Sequence, residues 1–122
     1  MFERISMIGL GYIGLPTAAL FAAHGTQVIG VDVSDYVVKM INAGKIHIVE
    51  PELDGVVHKA VQDGNLRATL TPEPAEAFLV AVPTPFQADH TPDLSYVHSA
   101  ADMIAPALAG SYTHPKLPTN RT

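Results

Sequence analysis

Ile5-Ser6-Met7-Ile8-Gly9-Leu10-Gly11-Tyr12-Ile13-Gly14-Leu15-Pro16, with Asp32 standing 18 residues after Gly14, is the stretch that decides the fold. The run Ile5–Ile8 is short, mostly apolar and stopped by Gly9, which reads as a buried parallel strand. Leu15 to Ala23 is rich in Ala and Leu, and Gly25 follows as a stop signal, so a helix is expected there. Gln27 to Val31 is β-branched and apolar and ends at Asp32, a second strand. By itself G-x-G-x-x-G is a weak pattern. Set between a strand and a helix, with an acid at the end of the next strand, it is the fingerprint of a dinucleotide-binding βαβ unit.

Each residue of that fingerprint has a physical task. Gly9 permits the tight turn out of the strand, Gly11 lets the backbone approach a pyrophosphate, and Gly14 lets the helix pack near the sheet. The backbone N–H groups around Tyr12 and Ile13 then face the anion, aided by the helix dipole. Asp32 is placed to accept hydrogen bonds from the adenosine ribose, and its charge would repel a 2′-phosphate. Val33-Ser34-Asp35 supplies no Arg or Lys to welcome one, so the expected cofactor is NAD rather than NADP. A flavin could use the same fingerprint. A purely structural role for the glycines, a turn and a helix–strand contact, competes with this reading; the register of strand, helix and acid favours the dinucleotide.

The same alternation continues outward. Ser34 or Asp35 caps a helix through Val37, Val38 and Ile41 to Gly44. Pro51 suits the first turn of a third helix, with Leu53, Val56, Val57, Ala60 and Val61 on one stripe and Gly64 as its stop. Leu66–Leu70 is expected as a third strand and Phe78–Val82 as a fourth, central one. Asp93 caps a last helix with Val97, Ala101, Ile104 and Leu108 on one face. Strands alternating with helices mean α/β: a Rossmann-type parallel sheet with flanking helices, truncated after about four strands. The domain is expected over residues 1–110 and is incomplete; 111–122 reads as an irregular, divergent tail without apolar periodicity.

With 122 residues the chain makes one domain. Its apolar fraction of 48% and charged fraction of 16% are those of a globular protein. A net charge of −5 offers no footprint for nucleic acid or an anionic membrane, and no apolar run is long enough to span a bilayer. Cysteine is absent, so disulfides and thiolate chemistry are excluded within these residues. A cytoplasmic location is expected. The six histidines form no H-x-x-x-H pair and read as surface groups rather than metal ligands. Glu50, Glu52 and Asp54 read as acids favouring a helix start rather than as an acid–base pair. No Walker lysine follows the glycine loop, and Ser6 and Ser99 lack a nucleophile elbow.

Gly9-Leu10-Gly11-Tyr12-Ile13-Gly14-Leu15-Pro16 resembles the opening of the nucleotide-sugar 6-dehydrogenases. Glu50-Pro51-Glu52-Leu53 resembles that family's Glu-Pro-x-Leu segment. Val82-Pro83-Thr84-Pro85 with Asp93-Leu94-Ser95-Tyr96-Val97 resembles its fourth-strand loop and following helix. Pro83, in place of the Gly usual in the UDP-glucose and GDP-mannose enzymes, is similar to the branch acting on UDP-N-acetylhexosamines. Ile46–Leu53 is most similar to the members of that branch acting on UDP-N-acetyl-D-mannosamine. The resemblance covers residues 4 to 109.

It implies NAD as cofactor, bound by Tyr12, Ile13, Asp32 and Thr84. It also implies oxidation of a sugar C6 alcohol to a carboxylate for surface polysaccharide, and a homo-oligomeric enzyme. The family's cysteine, lysine and asparagine that act on the sugar have no matching positions here, nor does its dimer-forming helix. The expectation is therefore a chain inactive by itself: the NAD-binding part of a UDP-N-acetylhexosamine dehydrogenase, or else a non-catalytic NAD-binding module or inactive fragment.

Overall fold

The molecule is described from a computed structural model, which covers residues 3–83, 88–89 and 91–111. Four strands, β1 (Arg4–Ile8), β2 (Gln27–Val31), β3 (Leu66–Thr69) and β4 (Ala77–Val80), form one sheet in the order β3-β2-β1-β4. Every neighbouring pair is parallel. The helices are α1 (Gly14–Ala23), α2 (Asp35–Asn42), α3 (Leu53–Gln62) and α4 (Ser95–Ser111). The chain builds outward from β1 to β2 to β3, then crosses back to place β4 on the other side of β1. That reversal makes a topological switch point between β1 and β4, where open α/β sheets bind ligands.

The alternation of side chains along the strands feeds two cores. On one face Ile5, Met7, Val28, Leu66 and Ala68 meet Leu15, Ala18, Ala19 and Ala22 of α1, Val38 and Ile41 of α2, and Leu53, Val57 and Ala60 of α3. On the other face Ile8, Ile29 and Val31 meet Ala100 and Ile104 of α4. Each fully buried Leu, Ile or Val contributes about 1.5–3 kcal/mol. Leu10, between β1 and α1, has no exposed surface and lies over Gly30, whose missing Cβ would come within 2.7 Å of the Leu10 side chain.

Local chemistry fixes the ends. Ser34 Oγ accepts from the Val37 N–H at 3.3 Å and caps α2. Asn42, the last residue of α2, closes the outer edge of β3: its amide donates to the Ala68 carbonyl at 2.9 Å and accepts from the Ala68 N–H at 2.8 Å. The crossover after β3 is held by Arg67, which donates to both carboxylate oxygens of Glu73 and keeps that carboxyl below its usual range.

Several expectations change here. Pro51 lies in a turn and α3 begins at Leu53, because Glu52 adopts a left-handed φ of 67° before the first turn. The Glu52 side chain makes no capping hydrogen bond, while Asp54 lies in the first turn. Val56 is exposed and Val61 half-buried, so the α3 stripe is narrower than expected. β3 stops at Thr69, and β4 occupies Ala77–Val80 rather than Phe78–Val82. Among the described residues β4 is an edge strand, not a central one.

α4 also turns differently. Ala100, Ile104 and Ala107 face inward while Val97 and Ala101 are exposed. Apolar residues sit on both phases of this helix, and the small Ala100 and Ala107 are the ones that allow close approach to the sheet. The Leu108 side chain is outside the described residues. α4 extends through Gly110 and Ser111, beyond the expected end of helical structure; residues 112–122 lie outside the described residues.

Candidate functional site

The three glycines of the β1–α1 loop have three separate steric reasons. Gly9 has φ +98°, and a Cβ there would meet the Ala81 carbonyl, its carbon 2.9 Å away. Gly14 is buried where a Cβ would run into the Gly9 carbonyl and touch the Ala81 Cβ at 3.4 Å. Its nearest neighbour is thus the loop itself, so the glycine lets α1 start directly against Gly9. Gly11 is the opposite case: a Cβ would meet nothing within 4 Å. The space beside it is open, and a backbone with no side chain borders it.

Among the described residues the N–H groups of Gly11, Tyr12 and Ile13 have no acceptor, whereas the carbonyls of Gly11 and Ile13 are taken by Leu15 N–H at 3.0 Å and Thr17 N–H at 3.2 Å. Donors left free at the start of α1, with the helix dipole behind them, form an anion site. The first turn of α1 carries no acid to compete with an anion. The loop therefore fits a pyrophosphate both sterically and electrostatically.

Asp32 follows β2, and its carboxylate is half-buried. Oδ2 accepts from the Leu10 N–H at 3.1 Å and Oδ1 from the Ser34 N–H at 3.0 Å. The first bond ties the glycine loop to β2, and the second is an Asx turn that leads into the α2 cap. A carboxylate has about four acceptor positions, so two remain for hydroxyl groups of a ligand. The structural role of Asp32 goes beyond what its spacing gave; the signal was the acid two residues before a capping serine.

These residues converge on a crevice of about 780 Å³ at the switch point. Gly9, Gly11, Tyr12, Ile13 and Asp32 line it; Gly14 is buried behind them and Thr84 lies outside the described residues. Sequence reasoning missed Val33, Val82, Tyr96, Ser99 and Met103, which also line it. Val82 and Tyr96 stand in the segments that carry the family resemblance, yet neither was given a binding role, and the start of α4 was marked by Asp93. The Ser95 N–H donates to Asp93 Oδ1 at 2.9 Å and holds that carboxyl below its usual range. Among the described residues no cluster of three His, Asp or Glu could hold a metal ion, and no helix is long and apolar enough to cross a membrane.

A family model described as the UDP-glucose/GDP-mannose dehydrogenase family, NAD binding domain, matches residues 3–113. The chain belongs to that family. It is 62% identical over 107 residues to the UDP-N-acetyl-D-mannosamine dehydrogenase of Salmonella typhimurium, covering 88% of this chain and 26% of that protein. It is 59% identical to the NDP-N-acetyl-D-galactosaminuronic acid dehydrogenase of Ralstonia nicotianae, covering 88% of this chain and 25% of the relative. The solved UDP-N-acetyl-mannosamine dehydrogenase Cap5O of Staphylococcus aureus superposes with a TM-score of 0.84 at 41% identity, over 86% of this chain and 26% of that one. The chain thus spans about a quarter of the length of these relatives, the NAD-binding part of this family of NAD-dependent oxidoreductases.

Proposed function

We infer that this chain is the NAD-holding part of a UDP-N-acetylhexosamine 6-dehydrogenase, with UDP-N-acetyl-D-mannosamine as the sugar nucleotide. The observation that carries this is the free N–H row at Gly11, Tyr12 and Ile13 beside an acid-terminated β2, in a chain 62% identical to a UDP-N-acetyl-D-mannosamine dehydrogenase. Gly9 and Gly14 shape the loop, Gly11, Tyr12 and Ile13 hold the pyrophosphate, Asp32 holds the adenosine ribose, and Thr84 is given to NAD by the family resemblance alone. NAD, when bound, supplies the acceptor for hydride from C6 of the sugar. The protein's own residues bind and orient it; with no cysteine, these 122 residues lack the thiol that the family resemblance implies for the second oxidation. The 59% identity to an NDP-N-acetyl-D-galactosaminuronic acid dehydrogenase supports a second reading, in which the sugar is another N-acetylhexosamine.

Calorimetric titration of the chain with NAD and NADP tests the cofactor site. NAD is expected to bind, and NADP at least about tenfold more weakly, because Asp32 opposes a 2′-phosphate. Equal affinities would remove the role given to Asp32, and no binding of either would remove the reading itself.

A further inference from the structure

The sequence holds two Asp-Gly pairs, Asp54-Gly55 and Asp63-Gly64, one at each end of α3. Aspartate before glycine is the pairing in which the next backbone nitrogen most readily attacks the side-chain carboxyl, because glycine has no Cβ to obstruct ring closure. The reaction then depends on how that nitrogen and that carboxyl are held, and the fold holds the two pairs in opposite ways.

At Asp63-Gly64 both groups are engaged elsewhere. Asp63 Oδ2 accepts from Lys59 Nζ at 3.0 Å, and the Gly64 N–H donates to the Val61 carbonyl at 3.1 Å. At Asp54-Gly55 the two groups meet each other. Gly55 lies in the first turn of α3, where N–H groups lack an intrahelical acceptor, and Glu52 makes no side-chain cap. Among the described residues the Gly55 N–H donates to Oδ1 of Asp54, at 2.8 Å, and to no backbone carbonyl. That bond sets the carboxyl carbon, one bond further on, against the Gly55 nitrogen. Both residues are exposed, and a Cβ at Gly55 would meet nothing within 4 Å, so a ring has room to form.

We propose that Asp54-Gly55 is a modification site at which the folded chain converts itself to isoaspartate, while Asp63-Gly64 is protected. The Gly55 nitrogen forms a bond to Cγ of the protonated Asp54 carboxyl. The carboxyl hydroxyl leaves as water with the amide proton, and a cyclic imide remains. Water then opens the imide. Breaking the bond from nitrogen to Cγ restores aspartate. Breaking the bond from nitrogen to the main-chain carbonyl carbon leaves Gly55 attached through Cγ and turns that carbonyl into a free carboxyl. One water is lost and one regained, so mass is unchanged and no oxidant or reductant takes part. The product carries an extra backbone carbon between Leu53 and Val57, both buried, so the start of α3 leaves its helical register.

The test is peptide mapping of the full chain aged at neutral pH and body temperature, both folded and in urea, with electron-transfer fragmentation to tell isoaspartate from aspartate at each position. In the folded chain isoaspartate is expected at Asp54 in about tenfold excess over Asp63, the most that one protecting hydrogen bond gives a rate. In urea, where neither pair is held, the two yields become similar. Gly55→Ala hinders ring closure and lowers the yield at position 54, and Asp54→Glu abolishes it; neither changes the yield at Asp63. Lys59→Ala releases the Asp63 carboxyl and raises the yield there. Ageing lowers the melting temperature of the wild-type chain more than that of Asp54→Glu. Equal yields at Asp54 and Asp63 in the folded chain, or a product at Asp54 that forms in urea alone, overturn the proposal.

Discussion

At the scale of single residues, the glycine loop separates folding from binding. Gly14 and Gly11 belong to the same motif, yet a Cβ at Gly14 would strike the backbone carbonyl of Gly9, and a Cβ at Gly11 would meet open space. Backbone cannot swing aside as the tip of a long side chain can. Gly14→Ala is therefore expected to cost about 2–4 kcal/mol of stability. Gly11→Ala is expected to stay within about 1 kcal/mol of wild type, while placing a methyl group where the pyrophosphate must come and lowering NAD affinity by roughly tenfold or more. Urea denaturation and NAD titration on both variants check this. Equal stability losses at the two positions would mean that the glycines share one structural job. Asp32 combines the two roles in one side chain: its bonds to Leu10 and Ser34 hold the loop in place, and its remaining lone pairs serve the ligand.

At the scale of elements, the two edges of the sheet are treated differently. β3 is closed by the Asn42 amide, which satisfies both backbone groups of Ala68 as a neighbouring strand would. β4 has no such cover among the described residues, and Val80 is 46% exposed. Asn42→Ala leaves the Ala68 N–H and carbonyl without partners and is expected to cost about 1–2 kcal/mol. Amide exchange at Ala68 should accelerate while that at Met7, in the sheet centre, changes only with global stability; unchanged exchange at Ala68 would show that the Asn42 contact does not protect the edge. The sequence was readable where one signal dominated: β1, β2, α1 and α2 follow from a short apolar run, an Ala-rich stretch and a serine cap. It was not readable where signals conflicted. The start of α3 depends on the left-handed Glu52, which no propensity marks, and the phase of α4 depends on which of two apolar faces packs closer. The glycines and Asp32 could be picked out because their spacing is tied to a local turn. The α4 residues that line the crevice could not, because no local spacing ties them to the glycine loop; the crossover from β3 to β4 brings them there.

At the scale of the whole molecule, the crevice sits on the seam between two cores. Ile8, Gly9 and Leu10 leave β1 at the point where one core, containing Leu10 and Leu15, ends and the other, containing Ile8 and Val31, begins. Among the described residues α4 meets the sheet through the second and smaller of these cores. A ligand reaching from the glycine loop across Asp32 to α4 touches residues of both cores at once. Its binding energy must then add to the stability of the whole unit rather than to one loop. At a hundredfold excess of NAD over its dissociation constant the linkage is worth about 2.7 kcal/mol. For a domain of this size that is a rise in melting temperature of roughly 10 °C, with one cooperative transition before and after. Hydrogen exchange should slow in α4 as much as in the β1–α1 loop. Asp32→Ala should abolish the NAD-dependent rise and also lower the melting temperature without ligand, since Leu10 and Ser34 lose their acceptor. Slowed exchange confined to the β1–α1 loop, with α4 exchanging at its ligand-free rate, would show that the two cores respond independently and that the ligand does not bridge them.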